Sequence, residues 1–145
     1  MIVDSKQEQL AGSAVIGTAL HSYDLKGIPV HAALAAIAKE TTLPSCDVIQ
    51  FGNSVFITHF SADKKAVYVR ALNVDTAKNY VDNGERHIKY LLSKNVDTLV
   101  TQYSVESYGA PFKVLKRNKL GEKMTFEDKR AANGDFITIV HLRGK

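Results

Sequence analysis

The chain carries a single cysteine, Cys46, among 145 residues. A lone thiol excludes an intramolecular disulfide and every metal site built on several cysteines, and its ordinary role is that of a small buried filler. No apolar run approaches the roughly 20 residues needed to cross a bilayer. The opening MIVDSKQEQL has neither the basic stretch nor the apolar core of a secretory signal. These absences predict a soluble, intracellular protein. No HExxH spacing links His21, His31, His59, His87 and His141, and no GxSxG marks a nucleophile. His59 and His141 alternate with apolar residues in strand-like runs and read as hydrogen-bonded structural residues. Linkers, repeats and low-complexity segments are also missing, so a single domain over 1–145 is expected.

What is present is an ordinary globular balance, 45% hydrophobic and 23% charged, enough for one core. The net charge of +4 suits an acidic partner without requiring one.

Ser5 and Glu8 have the spacing of a capping box, and Leu10, Ala14, Val15, Thr18 and Ala19 recur at helical spacing, which predicts a helix over 5–23. Gly12 and Gly17 weaken it by about 1 kcal/mol each, and Lys26-Gly27 stops it. Pro29 suits the first position of a second helix, VHAALAAIAKE, whose Val30, Leu34 and Ile37 share a face. Pro44 closes that pair. The period then changes to two. DVIQF, SVFITHF and AVYVRAL are dense in β-branched and aromatic residues and are separated by Gly52-Asn53 and Ser61–Lys64, which predicts an antiparallel meander. Asp75 offers an N-cap to a long helix with the apolar stripe Ala77, Tyr80, Val81, Gly84, Ile88, Leu91 and Leu92, ended by Asn95. VDTLVTQYSV reads as a strand and Pro111 to Lys119 as a polar helix ending at Leu120-Gly121. KMTFEDK and DFITIVHL flank Asn133-Gly134, a strong hairpin signal. The order predicts an α/β (α+β) fold: a mixed central sheet with helices on both faces, containing a βαβ crossover.

That order, with DTLVTQYSV followed by PFKVLKRNKLG, resembles the Gcn5-related N-acetyltransferase (GNAT) superfamily. Within it the chain looks most like the small acetyltransferase-like internal virion proteins of short-tailed phages, which share a meander, a long helix and an Asp-Thr-Leu strand. The resemblance implies acetyl-CoA as cofactor if the chain is an enzyme. It also implies a Gln/Arg-x-x-Gly-x-Gly/Ala turn whose backbone N–H groups meet the pyrophosphate where a helix starts. Aligned on Gly84, Asn79 takes the Gln/Arg place and Asp82 the first glycine, and Leu72, Asn79, Asn83 and Gly84 are the positions expected to face the cofactor. Asp82 would set a negative charge beside a polyanion. The stripe from Ala77 predicts a continuous helix through Asp82, leaving Gly84 to serve close helix-to-sheet approach.

Members of the family place a tyrosine acid on the helix after the fifth strand, and counting back from Gly121 that place falls on Arg117. Tyr103 and Tyr108 are substitute proton donors to a leaving thiolate, and Glu106 is the candidate base. Lys113, Lys116 and Arg117 share one helical face and could meet phosphate or an acidic protein surface. Aromatics do not interleave with them as base stacking requires, so protein contact ranks above nucleic acid. The expectation is an acetyltransferase-like phage virion-associated structural or interaction protein without efficient acetyl-CoA-dependent catalysis. It would need no cofactor and would reside in the virion or host cytoplasm. The alternatives are an active N-acetyltransferase with a variant cradle and a small phage protein that binds and regulates a host protein.

Overall fold

Runs of β-branched and aromatic residues separated by tight turns pair with their sequence neighbours at little entropic cost. In the computed structural model, which describes residues 29–104, 106–117 and 123–144, the meander is β1 (Cys46–Phe51), β2 (Ser54–Phe60) and β3 (Ala66–Asn73). Gly52 makes the first turn at φ 56°, a left-handed conformation open to glycine. Before the meander lies α1 (Val30–Glu40), and after it α2 (Ala77–Ser93) and β4 (Thr98–Tyr103). A 3-10 turn (Glu106–Gly109) then leads into α3 (Ala110–Arg117), followed by β5 (Thr125–Arg130) and β6 (Phe136–His141). The six strands form one sheet in the order β1-β2-β3-β4-β6-β5, and the β3–β4 pair is parallel. The expected helix over 5–23 and the Leu120-Gly121 helix end lie outside the described residues.

Strand alternation divides the core between the two faces of the sheet. Ile49, Phe56, Val67 and Val69 pack with Ile88 and Leu91 of α2 and Leu115 of α3. Val55, Ile57 and Leu72 point the other way, toward Ile37 of α1. Cys46 joins this second cluster, and burial, then Asp47, raises its thiol pKa, consistent with an inert filler.

Several local expectations are corrected. Pro29 is the N-cap of α1, with helix from Val30, because its extended ψ of 144° precedes the first turn. Thr76, and not Asp75, caps α2: its hydroxyl accepts from the Asn79 N–H at 3.2 Å. α3 begins at Ala110, after the 3-10 turn has already reversed the chain. The stripe of α2 is less apolar than its pattern suggests, since Asn83 and His87 are buried in it with Ile88 and Leu91. Asn95, at φ 62°, does follow the end of α2.

Candidate functional site

β3 and β4 pair only from Ala66–Thr98 to Tyr68–Val100. Beyond that, each strand is held by its outer neighbour. β4 stays in register with β6 as far as Tyr103–Phe136. β3 stays with β2 as far as Asn73–Ser54, and a polar knot fixes its end. The Ser54 hydroxyl donates to Asn73 Oδ1 at 2.7 Å, the Asp75 N–H donates to the same oxygen at 3.0 Å, and Asn73 Nδ2 donates to the Asp75 carbonyl at 3.1 Å. The strands therefore splay apart, and between them opens a cleft of about 740 Å³.

One wall of the cleft is α2, through Tyr80, Gly84, His87 and Ile88, and another is α3, through Val114 and Leu115. Residues from both sheet faces line it, Val69 and Ala71 on one and Arg70 and Leu72 on the other, so the opening passes between the strands. On the α1 face, the Glu40 carboxylate is shared by Arg70 Nη2 and by His59 Nε2, the latter at 2.6 Å. This holds the Arg70 guanidinium at the edge of the cleft. His59 and His141 are both hydrogen-bonded, His141 to Glu127 at 2.9 Å.

The head of α2 replaces the alignment on Gly84. The helix starts at Ala77 and is continuous to Ser93, so the N–H groups of Asn83 and Gly84 are spent on intrahelical bonds. Asn83 is a tether: its Nδ2 donates to Ser54 Oγ and to Asp75 Oδ2, each at 2.9 Å. The Asp75 carboxylate also accepts the Asn53 N–H at 2.8 Å. That donor first, and the Asn83 amide after it, hold the Asp75 carboxyl below the ordinary carboxylate range. Asn79 is exposed in the first turn, and Leu72 is buried. The expected close approach at Gly84 is not found: a Cβ there would meet nothing within 4 Å, because the space beyond it is the cleft. An ionised side chain of the chain itself therefore stands at the helix start.

The proposed acid–base residues divide between two places. Tyr103 and Tyr108 line the cleft, and Tyr108 is 51% exposed there. Glu106 lines a separate groove on the far side of Tyr103. The Tyr103 hydroxyl lies 2.7 Å from Thr138 Oγ1, whose single proton goes to Asp128 Oδ1 at 3.2 Å. Tyr103 is thus the donor in that pair. Lys113 and Lys116 border the same groove as Glu106, whereas Arg117 does not. Two buried groups escaped sequence reasoning: His87, in α2, and Thr138, in the middle of a strand. Among the described residues no group of histidine, cysteine and carboxylate side chains is placed to hold a metal, and no helix is long and apolar enough to cross a membrane.

The splayed parallel pair, the helices on both faces and the closing hairpin define an acetyltransferase fold of the Gcn5-related type. The chain is similar to aminoglycoside 6'-acetyltransferase type Ii, at TM-score 0.67 and 9% identity over 100% of this chain and 99% of that one. It is likewise similar to the Escherichia coli ribosomal-protein-S18-alanine N-acetyltransferase, at TM-score 0.59 and 14% identity over 100% and 94% of the two chains. The putative acetyltransferase yncA from Salmonella typhimurium, solved with its cofactor acetyl-CoA, matches at TM-score 0.59 and 14% identity over 100% and 95%. No protein-family model and no curated protein sequence matches the chain.

Proposed function

We propose that this acetyltransferase-fold protein works by binding another protein, as a virion-associated structural or interaction component of a short-tailed phage, without efficient acetyl-CoA-dependent transfer. The observation that carries the reading is the Asp75 carboxylate, fixed by Asn53 and Asn83 at the start of a helix already capped by Thr76. An anion held there opposes the pyrophosphate that the fold's acetyl-CoA-dependent members bind at a helix start. Titration calorimetry of the full chain with acetyl-CoA should give no heat in the micromolar range, and micromolar binding overturns the reading. Mass spectrometry of purified particles should find the chain. Its presence only in infected cells favours instead a protein that binds and regulates a host protein.

One observation favours a second reading, an active N-acetyltransferase with a variant cradle. The splay between β3 and β4 is open, and Tyr108 stands exposed on its lining. That reading requires acetyl-CoA to bind and an amine substrate to be acetylated, which the same calorimetry and a thiol-release assay detect.

A further inference from the structure

We propose that the groove between α3 and the β5–β6 hairpin docks an acidic, extended segment of a protein partner; this deepens the protein-binding reading above and rests on it. The groove has a volume of about 550 Å³. Its wall is the Glu106–Gly109 turn and α3, and its floor is one face of β4, β6 and β5. Cross-strand register places Phe126, Asp128 and Arg130 opposite Val140, Thr138 and Phe136, so alternate residues of β5 face the helix.

Three cations from two elements border it, Lys113 and Lys116 on α3 and Arg130 on β5, all exposed, whereas Lys129 alternates to the opposite face of β5, where its ammonium lies 3.9 Å from Glu127 Oε2. Glu106 and Asp128 are the carboxylates of the lining, and Asp128 already accepts the Thr138 hydroxyl. Three cations against two carboxylates leave a small positive surplus, concentrated on α3, which favours an acidic occupant. Phe112 and Phe126 in the lining supply an apolar floor for intervening side chains. A groove walled by a helix and floored by strands can seat an extended segment.

The aromatic rings decide between peptide and nucleic acid. Arg130 lies over Phe136 at 4.1 Å, Tyr103 stacks on the same ring at 5.8 Å, and Lys116 lies over Phe126 at 5.9 Å. These rings are engaged by the groove's own side chains, whereas single-stranded nucleic acid needs open faces for its bases.

The test measures fluorescence anisotropy of the full chain with a labelled peptide of alternating glutamate and leucine. Its lysine–leucine counterpart and oligo(dT) serve as competing probes. The acidic peptide should bind, more weakly as salt rises, and Lys113→Glu with Lys116→Glu should weaken it about tenfold or more. Arg130→Glu provides the same test from β5, and circular dichroism confirms that each variant is folded. Absence of acidic-peptide binding, equal binding by the folded variants, or tighter binding of oligo(dT) overturns the proposal. Acetyl-CoA calorimetry on the same sample separates the two failures: heat from acetyl-CoA removes the functional reading, whereas loss of the peptide signal with silent calorimetry removes the groove alone.

Discussion

The imidazole of His87 lies flat against the ring of Phe56, centroids 4.4 Å apart and planes within 8°, while its Nε2 meets the Thr58 hydroxyl at 3.2 Å. A helix and a central strand are thereby joined through a titratable group that is only 2% exposed.

Burial pushes the His87 pKa down to about 3. In the unfolded chain an imidazole protonates near 6.5. Between those values the unfolded state holds the extra proton, so stability falls as pH falls, by on the order of 1.4 kcal/mol per pH unit, and is unaffected by this group at higher pH. Urea unfolding at stepped pH should show the wild type losing stability more steeply than His87→Gln below about pH 6. Parallel profiles would remove His87 as the source.

Gly84 sits inside α2 with open space where a Cβ would go and no positive φ to preserve. Gly84→Ala should therefore raise stability by about 0.5–1 kcal/mol, read as a higher Tm. A loss would mean that the helix needs the glycine for close approach after all.

Gly109 behaves in the opposite way. A Cβ there would lie 2.5 Å from the Tyr103 hydroxyl and 3.0 Å from its Cζ, and the ring cannot retreat because it stacks with Phe112 and Phe136. Gly109→Ala should cost about 1–3 kcal/mol. Tyr103→Phe alone should cost about 1 kcal/mol through the lost bond to Thr138. In the double variant the two costs should fall short of additivity, since the hydroxyl clash is gone; strict additivity in a denaturation cycle would disprove the contact.

Asn83 holds three segments together, α2, the start of β2 and the Asp75 turn. Asn83→Ala should cost about 1–3 kcal/mol by leaving buried Ser54 short of a partner. Asn83→Asp should cost more than alanine at neutral pH, because it sets a second carboxylate beside Asp75. Its deficit should shrink as pH drops below about 4, where the added group becomes neutral. Chemical denaturation at both pH values checks the ordering.

The strands were legible because β-branched and aromatic residues alternate between short turns, and the α2 period carried its own evidence. What escaped depends on contacts between distant segments. Asp75 and Thr76 are both competent caps, and the choice is made by Asn53 and Asn83, which occupy the aspartate. A glycine in an apolar stripe suggests tight packing, yet the void beside Gly84 exists only because β3 and β4 separate. Thr58 makes His87 a buried residue from 29 positions away. The basic groove needs β6 to carry β5 alongside α3, so sequence spacing on α3 alone picks Arg117 where the fold supplies Arg130. For the candidate site, the helix running through Asp82 was readable; the division of Tyr108 from Glu106 was not.

The short parallel seam between β3 and β4 also orders assembly. β1–β3 and β4–β6 are two consecutive stretches of chain, each closed by its own antiparallel ladders, and three residue pairs join them. Few bonds are gained there for the loop that α2 must close, so the seam is expected to form last in folding. Pulse-labelled exchange at the Thr98 amide, which donates to Lys65 across the seam, should accordingly show protection later than the amides of the antiparallel ladders, as two half-sheets become one molecule.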